Sequence, residues 1–136
     1  MERLFVDTSA WYAFFNAKDP DHKSVTALLE AWEPRLVTSE YVFDELVTLV
    51  RYRAGHALAA KVGQELRGGD ACLLMTVEPK DIQEAWEHFV AKKSEKLSFT
   101  DCTSFAVMRR LKLTTAAALD ADFGHAGFIV LPKAKR

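Results

Sequence analysis

The sequence predicts an α/β fold built on a mainly parallel, five-stranded sheet. Three observations carry that expectation. Short, continuously apolar runs recur along the chain, among them Leu4-Phe5-Val6, Cys72-Leu73-Leu74-Met75 and Phe128-Ile129-Val130-Leu131. Such runs mark strands covered on both faces rather than strands with one wet side. The longer stretches between them carry apolar residues at helical spacing, and strand and helix alternate from one end to the other.

Leu4–Val6 reads as the first strand and ends at Asp7. Thr8 and Ser9 are cap residues for a helix from about Ala10 to Phe15. Asp19-Pro20-Asp21 starts a second helix through Val25, Leu28, Leu29 and Trp32, and Pro34 stops it. Arg35–Thr38 is the second strand and Ser39 the cap of a helix from Tyr41 to Arg53, with Phe43, Leu46, Val47 and Val50 on its inner side. Gly55 separates it from a helix over Ala57–Leu66 that ends at Gly68-Gly69. Ala71–Val77 is the third strand. Glu78-Pro79-Lys80-Asp81 opens a helix with Ile82, Ala85, Trp86 and Phe89 on one face. After the polar segment 92–96, Ser98 or Thr100 caps a helix from Asp101 to about Leu111. Thr114–Leu119 and Phe128–Leu131 are the fourth and fifth strands, Pro132 ends the fold, and residues 133–136 form a short basic tail.

Composition bounds the function classes. A chain of 136 residues suits one domain, residues 1–136, and 49% hydrophobic with 27% charged residues supplies a core and argues against disorder. Eighteen basic and 19 acidic side chains give a formal net charge of -1, so any contact with nucleic acid has to come from a local patch. Cys72 and Cys102 are too few and too scattered for a disulfide framework or a zinc site, and read as reduced thiols. No run approaches the roughly 18 apolar residues of a membrane span, and the N-terminus lacks the apolar core of a signal peptide. These features predict a soluble, cytoplasmic protein.

Four acids distant along the chain stand where a strand stops or a helix begins: Asp7, Glu45, Asp101 and Asp120, with Asp122 two residues beyond the last. Carboxylates at the ends of buried strands are costly unless a cation gathers them, and a hard divalent ion such as Mg²⁺ or Mn²⁺ is the natural partner. In an open parallel sheet, Asp7 after the first strand and Asp120 after the fourth emerge on the same carboxyl edge. Asp101 lies at a helix start, where a carboxylate is favoured. Glu45 shares a helix face with Tyr41, Thr48 and Tyr52, whereas Asp44 points about 100° away. Each acid also has a structural reading. Asp7 is a potential helix cap, Asp101 the last residue of a capping-box spacing, Glu45 a solvated helix residue, and Asp120 and Asp122 turn formers.

The ordered set Phe5-Val6-Asp7-Thr8-Ser9, Ser39–Arg51 around Glu45, Leu97-Ser98-Phe99-Thr100-Asp101-Cys102, and Ala118-Leu119-Asp120-Ala121-Asp122-Phe123 resembles the PIN-domain family, and within it the VapC-type toxins of toxin–antitoxin pairs. The resemblance spans nearly the whole chain. It implies a three-layer α/β/α sandwich and a metal-dependent ribonuclease acting on transfer, ribosomal or messenger RNA. Asp7, Glu45 and Asp101 would form the acidic core, with Asp120 completing it and Asp122 as an alternative or additional ligand there. It also implies a homodimer restrained by a cognate antitoxin protein. Cys102 stands where the family more often has alanine, a change that removes no ligand.

On this reading Thr8 or Ser9 would bond the phosphate or a metal-bound water, and helix-end cations such as Arg51 and Arg109 would draw RNA toward the acids. Trp11, Tyr12, Phe14 and Phe15 crowd one short helix, so at least one of them is expected to face a partner. The four histidines show no metal-ligand spacing. Two other functions are open to the same residues. One is a PIN-like RNA- or protein-binding module without chemistry. The other is phosphoryl transfer through an aspartyl nucleophile at Asp7, disfavoured because no second aspartate follows at the right spacing.

Overall fold

Strand β1 (Leu4–Val6) lies at the centre of one sheet and is buried along its whole length. In the computed structural model, which describes residues 2–133, five strands pair in the order β3-β2-β1-β4-β5, every neighbour parallel. The others are β2 (Leu36–Ser39), β3 (Leu73–Met75), β4 (Thr115–Ala117) and β5 (Ile129–Leu131). Seven helices connect them: α1 (Thr8–Phe15), α2 (His22–Trp32), α3 (Glu40–Ala54), α4 (His56–Arg67), α5 (Pro79–Ala91), α6 (Phe99–Arg110) and the one-turn α7 (Asp122–His125). Right-handed crossovers put α1–α4 on one face of the sheet and α5–α7 on the other. The result is the three-layer sandwich expected from the sequence.

The chain order reverses between β1 and β4. Each moves away from the other through its own crossovers, leaving a crevice beyond their carboxyl ends. Asp7 follows β1 directly, its N–H donating to Ala117 O of β4 at 2.9 Å. The core below is assembled from both faces of β1. Phe5 meets Phe123 of α7, which in turn packs edge-on against Phe105 of α6 at 4.9 Å between ring centroids. Trp11, Val25, Leu29, Leu46 and Val62 fill the α1–α4 side.

Two strands are shorter than the apolar runs that predicted them. The run Ala71–Val77 yields only Leu73–Met75, because β3 is an edge strand whose ladder ends where β2 ends, with Ser39 opposite Met75. Thr114–Leu119 yields only Thr115–Ala117, matched residue for residue to the three positions of β1. Cys72, Val77 and Ala118 remain buried although they lie outside the strands. Of the two acids read as turn formers, Asp120 precedes α7 and Asp122 is its first residue. Asp120 Oδ1 accepts from Asp122 N at 3.0 Å and so opens a helical turn that buries Phe123. Of the basic tail, only Lys133 lies within the described residues.

The four aromatics of α1 are all accommodated by the fold. Trp11 is buried, Phe14 and Phe15 pack on it and on each other, and Tyr12 is half-buried beneath the Arg53 guanidinium, 5.2 Å from its ring centroid. Tyr12, Phe14 and Phe15 each keep part of their surface exposed. Four of the exposed apolar side chains, Ile82, Trp86, Phe89 and Val90, form a stripe along α5.

At the far end of the α5–α6 pair, Arg110 Nε donates to both oxygens of the buried Asp81 carboxylate at 3.0 and 3.1 Å, and its Nη2 donates to Thr76 O. Asp81 Oδ2 also accepts from Glu78 N, closing the capping box of α5. Arg110 is thus a structural residue rather than a surface cation available to a polyanion. Replacing it with alanine leaves a buried carboxylate unpaired. Arg110→Ala should lower unfolding stability by about 3 kcal/mol in a denaturant titration.

Candidate active site

Asp7 occupies the N-cap of α1, so that of the cap residues the sequence offers, Asp7, Thr8 and Ser9, the first takes the position. Its Oδ2 accepts from Ser9 N at 3.4 Å and from Ser9 Oγ at 2.9 Å. Ser9 Oγ in turn accepts from Leu119 N at 3.1 Å, so this hydroxyl ties the start of α1 to the segment after β4. The other carboxylate oxygen, Asp7 Oδ1, is buried and has no hydrogen-bond partner among the described residues; the same is true of Thr8 Oγ1 next to it. A buried carboxylate oxygen left bare is rare, because its desolvation is not compensated.

Asp101 arrives from the opposite layer. Ser98 caps α6 through its Oγ, which accepts from Asp101 N at 3.0 Å, and Asp101 Oδ2 accepts from Ser98 N at 3.2 Å. The capping box predicted from spacing is therefore real, and it occupies only one of the two carboxylate oxygens. Glu45 stands one turn into α3, half-buried, while Asp44 is exposed. Asp7, Thr8, Ser9, Glu45, Asp101 and Asp120 all line one hollow of about 360 Å³ at the crevice between β1 and β4. Ser98, Tyr12, Leu49, Asp19, Arg53 and Leu119 complete its wall.

The electrostatics follow from that crowding. Burial, above all, and then the charges of Asp101 and Asp120 push Asp7 up to about 7, against the opposing hydrogen bonds from Ser9 and Thr8. Burial likewise raises Asp101 to about 6, opposed by its Ser98 bonds and reinforced by Asp120 and Asp122. Asp122 is raised by burial and by Asp120. Two carboxyls raised toward neutrality within one hollow are the perturbed pair expected of a candidate functional site.

Four sequence expectations sit differently in three dimensions. Asp122 does not line the hollow; it starts α7 and acts on Asp101 through its field. Arg51 is exposed and outside the hollow, whereas Arg53 lines it. Counting 100° per residue would have found this, since Arg53 lies about 80° from Glu45 around α3 and Arg51 about 120°. Arg109 sits near the other end of α6, roughly 12 Å of helix rise from Asp101, where it bonds Glu84 at 3.1 Å and overlies Phe128. Thr8 and Ser9 do line the hollow, but Ser9 is committed to Asp7 and Leu119. Asp19, from the turn between α1 and α2, carried no signal in the sequence pattern.

The fit to a metal can be read from the oxygens. Among the described residues, no three His, Cys, Asp or Glu side chains are arranged to hold an ion together. Mg²⁺, however, keeps several waters and is commonly bound through one or two carboxylates. Asp7 Oδ1, bare and buried, and Asp101, with one oxygen engaged, meet that requirement.

The model of the PIN domain matches residues 4–129. The chain belongs to the PIN-domain family. It is 38% identical over 126 residues to the 23S rRNA-specific endonuclease VapC20 of Mycobacterium tuberculosis, covering 93% of this chain and 95% of that protein. It is 31% identical to the ribonuclease VapC26 of the same species, over 95% of this chain and all of that protein. The crystal structure of VapC20, described as a sarcin–ricin loop cleaving toxin, superposes with a TM-score of 0.87 at 37% identity, covering 93% of this chain and 96% of that one. This PIN domain therefore has nucleases of the VapC type among its relatives.

A carboxyl whose pKa is raised on folding contributes stability that is complete below about pH 4 and lost as the pH climbs through 7. Removing the charge at Asp7 should therefore stabilise the metal-free protein at neutral pH and above. In thermal melts with EDTA, Asp7→Asn should raise Tm by roughly 5 °C at pH 8, and the difference should fade as the pH drops toward 4.

Proposed function

We propose that this PIN domain is a Mg²⁺- or Mn²⁺-dependent endoribonuclease, the toxin half of a VapBC-type pair, and that its substrate is large-subunit ribosomal RNA. The observation that carries the proposal is the buried, unpartnered oxygen of Asp7 in a hollow shared with Asp101, Glu45 and Asp120. Family membership and the 38% identity to a 23S rRNA-specific endonuclease support the substrate class.

Asp7 and Asp101 would hold the ion, with Glu45 and Asp120 bonding its waters. When bound, such an ion neutralises charge developing on the phosphate and lowers the pKa of attacking water. The remaining work belongs to the chain. Ser9 donates to Asp7 Oδ2 and so fixes the rotamer that leaves Oδ1 without a partner. The half-turn of helix at Ser98 holds Asp101 rigidly at the opposite wall. Arg53, anchored over Tyr12, supplies the guanidinium nearest the acids for a phosphate oxygen. A protein antitoxin would restrain the enzyme, and a homodimer would cover the apolar stripe Ile82, Trp86, Phe89 and Val90 on α5. Among the described residues no helix is long and apolar enough to cross a membrane, which suits action on cytoplasmic RNA.

The test is cleavage of ribosomes or isolated 23S rRNA by the purified protein, with ends mapped by primer extension. Wild type should cut in millimolar Mg²⁺ and stop in EDTA. Asp7→Asn and Asp101→Asn should each lose at least about 100-fold in rate while keeping the wild-type circular dichroism spectrum. Metal-independent cutting, or full activity in either variant, contradicts the proposal. Because the acids must be ionised to bind the metal, the Mg²⁺ concentration giving half-maximal rate should rise steadily as the pH falls from 8 to 6.

A further inference from the structure

We propose that a second, larger cleft beside the acidic hollow receives the unpaired nucleotide next to the cleaved phosphate, with Lys23 and Lys133 on the flanking phosphate. This rests on the endoribonuclease reading and identifies where the substrate strand runs once it leaves the acids.

The cleft holds about 710 Å³, within the usual range for small-ligand sites, and lies between the start of α2 and the α7–β5 segment. It shares Leu119 and Asp120 with the acidic hollow, so a strand crossing that common wall passes from one to the other without leaving the protein surface. Leu119, an exposed apolar side chain, stands on the divide. Beyond it the floor is apolar, with Ala118, Val130 and Pro132, and suits the face of a base and its ribose.

Charge favours a polyanion. An ion bound by the acidic hollow can neutralise the phosphate under attack, but the next phosphate along needs cations of its own. The cleft offers Lys23 and Lys133 against the single carboxylate of Asp21, apart from the shared Asp120. A base can enter such a recess only when it is not paired and stacked in a duplex. This is how proteins read loops and bulges in RNA. The occupant is therefore a splayed nucleotide of a loop rather than a helical stem.

The experiment compares the wild type with Lys23→Ala/Lys133→Ala, and with Lys61→Ala/Lys80→Ala as an equal-charge control at exposed positions outside the cleft. Cleavage of an RNA hairpin carrying the mapped site is followed in Mg²⁺ across a salt series. The cleft variant should show a KM about tenfold higher with kcat within twofold. Its slope of log KM against log salt should be shallower by about 0.7, one phosphate neutralised on a single strand. The control should match the wild type. A cleft variant indistinguishable from the control in KM and slope overturns the proposal. Should the wild type cut no RNA, the endoribonuclease reading fails on its own, and anisotropy measurements of RNA binding by the same three proteins still decide the cleft through Kd and its salt slope.

Discussion

A single desolvated carboxylate organises this molecule. Asp7 is 3% exposed at the end of the central strand, with one oxygen held by Ser9 and the other bare. A charge so placed is unfavourable in the isolated fold, and its pKa of about 7 expresses that cost. The rest of the structure fixes the charge in place rather than relieving it. The sheet supplies a rigid strand end, the Ala117 carbonyl takes the Asp7 N–H, and the Ser9 hydroxyl locks the side chain to the neighbouring segment. The fold thus stores an electrostatic demand that a dication can satisfy.

The topology explains why the demand arises here. Reversal of strand order between β1 and β4 opens the crevice, and each layer contributes one acid to it: Glu45 from α3 on one side and Asp101 from α6 on the other. Asp101 plays two parts at once. One oxygen closes a capping box that stabilises α6, and the helix N-terminus in return favours a negative charge at this position. The structural and functional readings of that residue, which compete when only spacing is known, are compatible, because the cap engages only one carboxylate oxygen. The basic residues divide more sharply. Arg110 and Arg109 are spent on Asp81 and Glu84 far from the acids, and Arg53 is the guanidinium that reaches the hollow.

The sequence made the layer order and the parallel sheet legible, because buried strands and amphipathic helices leave unmistakable periods. It also brought out the acids, since Asp7, Asp101 and Asp120 adjoin recognisable strand ends and caps. Strand lengths were not legible. They are set by the partner strand, so the apolar run at Ala71–Val77 overstates a ladder only three residues long. The one-turn helix α7 escaped because Asp120 and Asp122 are equally good turn formers, and only the burial of Phe123 decides for a helix. The choice of Arg53 over Arg51 needed a helical-wheel count, and the part taken by Asp19 needed the fold itself. The exposed apolar face on α5, where the first helix had seemed the more crowded, reflects the same limit: which side of an amphipathic helix is covered depends on what packs there.

The most direct measurement is anomalous diffraction from crystals of the protein soaked with Mn²⁺ near pH 8. A peak bound by Asp7 and Asp101 in the wild type, and lost in Asp7→Asn, is the result expected if the bare carboxylate is a metal ligand. An empty hollow in the wild type, with Mn²⁺ bound elsewhere or not at all, would contradict it.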